Sequence, residues 1–125
     1  MISYTGTRYL LELFVFLLVI GETLALDRLA YACEGMQVSM LCGDTGKVIS
    51  VTSARYGRFS RNVCLDNDSH DYSHIFCSQN QTNVVSALCS GRFFCQVPVS
   101  SNTFRNPCPP NVYKHAEIAY TCSAR

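Results

Sequence analysis

The sequence predicts a small α+β domain, stapled by disulfides and exported from the cell. Eight cysteines among 125 residues approach the density of a disulfide scaffold. Short segments of period two alternate with one segment of helical spacing, the pattern of strands mixed with a helix. An apolar run near the N-terminus is bounded as a signal segment is bounded. Charged residues are only 15% and hydrophobics 48%, which excludes a disordered chain. The length allows one domain and hardly a second.

Residues 1–25 set the compartment. Arg8 gives a positive n-region, Leu13 to Gly21 is an uncharged apolar core, and Thr23-Leu24-Ala25 offers a small-residue cleavage site. Glu12 and Glu22 fence the apolar run at nine residues, far below the roughly 20 that a membrane-spanning helix needs. The expected mature chain, residues 26–125, is secreted or extracellular and not inserted in a membrane. It keeps nine basic and seven acidic side chains, a net charge of +2. Such a balance gives no support for a nucleic-acid binder or a membrane-surface polycation.

Along the mature chain, Met36, Val38 and Met40 alternate with Gln37, Ser39 and Leu41, predicting a strand. Gly43 to Gly46 is turn chemistry, and Lys47 to Ser53 alternates again, so the two runs read as a hairpin. Asn62 to Ser73 is polar and loop-like. Asn83 to Leu88 places Val84, Val85 and Leu88 at helical spacing, with Gln79 to Thr82 as a capped start. Phe93 to Val99 is strand-like, and Pro98 favours an edge. Asn106 to Asn111 holds three prolines in five residues, which forbids helix and ladder alike. Ala116 to Thr121 is a last strand leading into Cys122.

Cys33, Cys42, Cys64, Cys77, Cys89, Cys95, Cys108 and Cys122 form an even set in an oxidising space, which argues for four disulfides. Spacing alone leaves on the order of a hundred connectivities. Zinc needs close cysteine pairs, and there are none. His70 and His74, in a polar loop, read as solvated side chains. Asp66, Asp68 and Asp71 begin like a calcium loop but lack its glycine and its closing glutamate. No metal or cofactor is expected. The sequence contains no nucleophile elbow, zinc-protease motif, P-loop or dinucleotide fingerprint, and oxidised cysteines supply no thiol nucleophile, so binding rather than catalysis is the expectation. Asn67-Asp68-Ser69 and Asn80-Gln81-Thr82 are glycosylation sequons in polar stretches.

Four short elements occur in a fixed order: Ala32-Cys33-Glu34-Gly35, Ala54-Arg55-Tyr56-Gly57-Arg58, Asn106-Pro107-Cys108 followed by Tyr113-Lys114, and Tyr120-Thr121-Cys122. With these, residues 31–123 resemble the galactose- or rhamnose-binding lectin domains of the sea-urchin egg lectin type. The resemblance implies two small antiparallel sheets with a helix and long structured loops. It also implies pairing of Cys33 with Cys64, Cys42 with Cys122, Cys77 with Cys108 and Cys89 with Cys95. By the family's motifs, Glu34, Tyr56, Asn106 and Lys114 would form the carbohydrate site. The chemistry suits a sugar, since carboxylates and amides bridge hydroxyls, an ammonium donates, and an aromatic ring covers a C–H face. Glu34 read alone could equally cap a strand or pair with an exposed base, Tyr56 could be core, and Arg58 reads as a scaffold hydrogen-bonder.

The chain departs from the family pattern in three places. Asn106 stands where the family usually has Asp, the loop Pro109 to Val112 is one residue longer and lacks a glycine, and His115-Ala116 replaces Tyr-Leu. Two functions follow from the resemblance. One is a calcium-independent, non-catalytic lectin for galactose- or rhamnose-like sugars on cell-surface or microbial glycans. The other is a protein-interaction module of an extracellular adhesion or guidance receptor whose sugar site has decayed.

Overall fold

The computed structural model describes residues 26–65 and 76–125. The predicted signal segment, the Asn67 sequon, and the His70–His74 and Asp66–Asp71 groupings lie outside these residues. The described chain forms strands β1 (Arg28–Cys33), β2 (Gln37–Leu41), β3 (Lys47–Arg58) and β4 (Cys77–Asn80), helix α1 (Thr82–Cys89), and strands β5 (Phe94–Pro98) and β6 (His115–Ala124). Two antiparallel sheets result: four strands in the order β1-β6-β3-β4, and a separate pair, β2-β5. The α+β class with two sheets, a helix and stapled loops is what the structure has.

The central strands owe their faces to hydrophobic alternation. On β6, Ala116, Ile118 and Tyr120 are buried on one face. On β3 the buried set changes phase: Ile49 points inward, then Ala54 and Tyr56 do. A bulge at Thr52, between the paired Val51 and Ser53, accounts for the switch, because one extra residue exchanges the two faces of a strand. Thr52 donates from Oγ1 to the Ala119 carbonyl at 3.0 Å, tying the bulge to β6. Val38, Met40 and Val97 from the small sheet join Ile49, Ile118 and the Val85 and Cys89 of α1 in one core cluster.

The hairpin expected between residues 36–41 and 47–53 is not formed. β2 pairs with β5, and β3 pairs with β6 and β4. The five residues between β2 and β3 carry the chain from one sheet to the other. Tyr120 Oη donates to the Leu41 carbonyl and lies 3.3 Å from the Leu41 amide, and Cys42 is bonded to Cys122. β2 is thus pinned to the end of β6 without joining its sheet. β1 and β4 were not legible as strands from pattern.

The helix begins at Thr82, and its buried face is Val85 and Cys89, with Val84 half-buried and Leu88 exposed. Cys89 completes the stripe that the apolar pattern assigned to Leu88, since its bond to Cys95 draws that edge inward. Asn80 Oδ1 accepts from the Thr82 amide at 2.9 Å and from its hydroxyl at 2.6 Å, so Asn80 rather than Gln81 organises the start.

All eight cysteines are bonded: Cys33–Cys64, Cys42–Cys122, Cys77–Cys108 and Cys89–Cys95. These are the pairs that the family resemblance implies. Each constrains the unfolded chain, by about 2–4 kcal/mol in typical cases. Such staples matter in a domain that buries only about two-thirds of its unfolded surface.

At Gly57, β3 comes close to the backbone of β4. Its φ is +143°, and a Cβ there would fall on the Cys77 carbonyl oxygen and within 2.7 Å of Ser78 Cα. Gly57→Ala is therefore expected to destabilise the oxidised domain by about 2–4 kcal/mol, read as a lowered denaturant midpoint. Gly43→Ala, where nothing lies within 4 Å, should leave the midpoint nearly unchanged.

Candidate functional site

At the end of the large sheet where β1 finishes and β6 begins, a tight turn exposes a carboxylate. Cys33 accepts from the Met36 amide at 3.0 Å, and Gly35 has φ +89°, so Cys33 to Met36 is a turn that needs glycine at its third position. Glu34 occupies the second position. Its amide donates to the Lys114 carbonyl at 2.9 Å, and the Lys114 amide donates back to Glu34 Oε2 at 2.9 Å. Lys114 Nζ then lies 3.1 Å from Glu34 Oε1 and donates to the Val112 carbonyl at 3.0 Å. The lysine side chain is only 9% exposed, whereas that of Glu34 is 26% exposed.

This arrangement leaves hydrogen-bonding capacity in one place. An ammonium has three protons, and two of those on Lys114 are engaged. A carboxylate offers about four lone-pair positions, and Glu34 uses two within the pair. One donor and about two acceptor positions are therefore unused within a pair whose carboxylate is partly exposed, a set complementary in kind to neighbouring hydroxyls.

Tyr56 stands behind this edge. It is fully buried, stacks on Phe104 at 4.8 Å between centroids, and its hydroxyl lies 3.2 Å from Ser101 Oγ. Its phenol is held above the usual range first by burial, with the Ser101 hydrogen bond opposing and the nearby Glu34 charge reinforcing. Tyr56 in this state is a core residue that faces Glu34 electrostatically. Asn106 is exposed and accepts from the Cys108 amide at 2.9 Å, closing the turn into Pro107-Cys108. Among the described residues no hydrogen bond or ion pair joins Asn106 to Glu34 or Lys114. The structure thus unites Glu34 and Lys114, sets Tyr56 within reach of the Glu34 charge, and places Asn106 in the loop of Cys108.

Two contributors were not singled out from sequence. Tyr113 donates from its hydroxyl to the Glu34 carbonyl at 3.0 Å, locking the turn. Its place beside Lys114 in the quoted element was the available signal. Val112, in the lengthened loop, supplies the carbonyl that takes a Lys114 proton, so the altered loop is built into the site.

Arg58 positions both halves. Fully buried, its guanidinium donates to the carbonyls of Tyr113 at 2.8 Å, Ser60 at 2.7 Å, Val63 at 2.7 Å and Cys64 at 2.8 Å. Tyr113 precedes Lys114, and Cys64 is bonded to Cys33, which precedes Glu34.

Comparison with known proteins gives the same direction. The profile of the D-galactoside/L-rhamnose binding SUEL lectin domain matches residues 40–122. The chain belongs to the SUEL lectin domain family. It is similar to the L-rhamnose-binding lectin ELEL-1 of Echinometra lucunter, 37% identical over 92 residues, 73% of this chain and 86% of that protein. It is also similar to Latrophilin Cirl of Drosophila ananassae, 34% identical over 93 residues, and to Latrophilin-like protein 1 of Caenorhabditis elegans, 37% identical over 92 residues. Those matches cover 74% and 72% of this chain but only 5% and 9% of the latrophilins. The SUEL lectin match includes Tyr56, Asn106 and Lys114, while Glu34 lies just before it. No helix of the described residues is long and apolar enough to cross a membrane.

His115, where this SUEL lectin domain departs from the family, is 1% exposed. Neither ring nitrogen has a hydrogen-bond partner among the described residues. Its ring lies 4.0 Å from Phe59 and 6.3 Å from Tyr31. Burial, then the charges of Arg58 and Arg55, lower its pKa to about 4. Between pH 6.5 and 4 the unfolded chain binds a proton here that the folded chain rejects. The contribution is therefore complete above pH 6.5 and lost as pH falls through about 4, amounting to roughly 3 kcal/mol. Denaturant unfolding of the parent should weaken over that window, and His115→Phe should show a slope shallower by about one proton.

Proposed function

We propose that this chain is a calcium-independent, non-catalytic lectin that binds galactose- or rhamnose-like sugars at the Glu34–Lys114 edge. The observation that carries the reading is the buried lysine held 3.1 Å from a partly exposed carboxylate, with unspent donor and acceptor capacity on both groups. A pair of vicinal hydroxyls would accept from Lys114 Nζ and donate to Glu34. Charge-assisted hydrogen bonds of this kind are worth about 1.5–3 kcal/mol each. Asn106 would add a carboxamide donor from the cysteine loop, and Tyr56 would hold the Glu34 side from behind. Residues 1–25 would be removed on export, and residues 26–125 would act outside the cell on cell-surface or microbial glycans. Asn80, exposed at the end of β4, and Asn67 would carry glycans in a eukaryotic host.

The latrophilin relatives favour a second reading, in which the same scaffold is an extracellular interaction module of a larger receptor. The chain spans about 5% of the length of those Drosophila proteins, so their wider activities do not transfer with the domain.

Isothermal titration of the oxidised domain with galactose and rhamnose tests the first reading. Glu34→Gln should lower affinity about tenfold or more and cost about 1–3 kcal/mol of stability, since it leaves the buried Lys114 ammonium without its counter-charge. Lys114→Ala should lose both affinity and stability, because it leaves Glu34 facing a buried gap. Asn106→Asp should hold or raise affinity, as a carboxylate still accepts from Cys108 and adds charge. Failure of the parent and of Asn106→Asp to bind either sugar at millimolar concentration would sink the lectin reading and leave the receptor module.

A further inference from the structure

The opposite end of the large sheet carries a concavity, and its chemistry differs from that of the Glu34–Lys114 edge. β6 runs from His115, beside the Glu34–Lys114 pair, to Ala124, which pairs with Lys47 at the start of β3. Nine residues of extended chain place the two ends roughly 30 Å apart. At the far end a hollow of about 610 Å³ is lined by Asp44, Lys47, Arg92, Phe93, Phe94 and Arg125, with glycine-rich backbone between them. That volume lies within the range of small-molecule sites, roughly 300–1,000 Å³.

The hollow is preorganised by covalent and backbone ties. Cys42–Cys122 crosses one side, and Cys89–Cys95 anchors the segment that bears Arg92 and Phe93. The Cys42 amide donates to the Phe93 carbonyl at 2.7 Å, the Ile49 amide to the Arg92 carbonyl at 2.7 Å, and the Gly91 amide to the Ile49 carbonyl at 2.9 Å. A site whose backbone is fixed this way loses little freedom on binding.

Its charge is unbalanced. Lys47 lies 3.6 Å from Asp44, so this exposed pair adds no net charge. Among the described residues the side chains of Arg92 and Arg125 have no hydrogen-bond or ion-pair partner. Phe93 is 67% exposed and Phe94 37% exposed at the same rim, large rings that the core does not use. Guanidinium forks match the planar oxygens of a carboxylate or sulfate, and an exposed ring covers a weakly apolar face. The hollow is open, and its lining combines these rings with glycine-rich backbone and charged side chains.

We propose that this end is a second binding site, for an acidic saccharide: a sugar ring laid on Phe93 with its carboxylate or sulfate held by Arg92 and assisted by Arg125. The assignment does not depend on the Glu34–Lys114 edge. If both sites bind, the domain engages two sugars of different charge at its two ends.

Isothermal titration of the oxidised domain at low salt tests it with galactose 6-sulfate and glucuronic acid, beside uncharged galactose and glucose and beside inorganic sulfate. The acidic sugars should bind at least about tenfold more tightly than their uncharged counterparts, and added salt should erode that advantage. Arg92→Ser should abolish the advantage, Phe93→Ala should weaken acidic-sugar binding several-fold, and Glu34→Gln should leave the advantage intact. Equal affinity for charged and uncharged sugars would overturn the proposal, as would an advantage that survives Arg92→Ser. Sulfate alone binding as tightly as galactose 6-sulfate would also overturn it, reducing the site to a simple anion contact.

Discussion

The buried guanidinium of Arg58 is the constraint on which the candidate sugar edge depends. A fully buried charge is costly unless its protons are satisfied, and here at least four backbone carbonyls receive them. Those carbonyls belong to segments without regular structure of their own. Residues 60–64 have no strand partner, and Tyr113 sits in the irregular approach to β6. One side chain at the end of β3 thus gives two loops a fixed place. Through Cys64 and its disulfide it fixes the turn bearing Glu34, and through Tyr113 it fixes Lys114. Removing the guanidinium would leave several half-buried carbonyls without this donor, so Arg58 acts on the Glu34–Lys114 edge through structure.

The same logic explains why Lys114 can be buried at all. Its ammonium faces Glu34 and a backbone carbonyl, and the flanking amides of the two residues exchange hydrogen bonds. Charge, hydrogen bonds and backbone register agree, which offsets much of the desolvation cost. The capacity that the pair leaves unused is what a hydroxylated ligand would use. The far hollow is organised differently: its cations are exposed and its order comes from disulfides and backbone pairing.

Much of this was legible in the sequence, for identifiable reasons. Val38 and Met40 announced β2 through period two, and the proline run announced the irregular Asn106–Asn111 segment. The four-element resemblance gave the two-sheet architecture and the cysteine pairs that the structure contains. Partner choice was not legible. A five-residue link rich in glycine looks like a hairpin turn, yet β2 finds β5, because nothing local encodes which edge a strand will meet. β3 was read only to Ser53, since the bulge at Thr52 breaks the alternation a simple pattern follows. Tyr56 illustrates the limit for the site: its motif marks it as functional, while only the packing against Phe104 shows that its ring is core.

The central claim is that Arg58 holds Glu34 and Lys114 in register. It is tested most directly by a double-mutant cycle in stability, with Glu34→Gln and Lys114→Met, run in the parent and again in an Arg58→Lys background. A lysine keeps the charge but donates from one nitrogen, so it cannot span the carbonyls that Arg58 reaches from Nε, Nη1 and Nη2. The account predicts a coupling of about 1–3 kcal/mol in the parent that falls toward zero when Arg58 is replaced. An equal coupling in both backgrounds would contradict it.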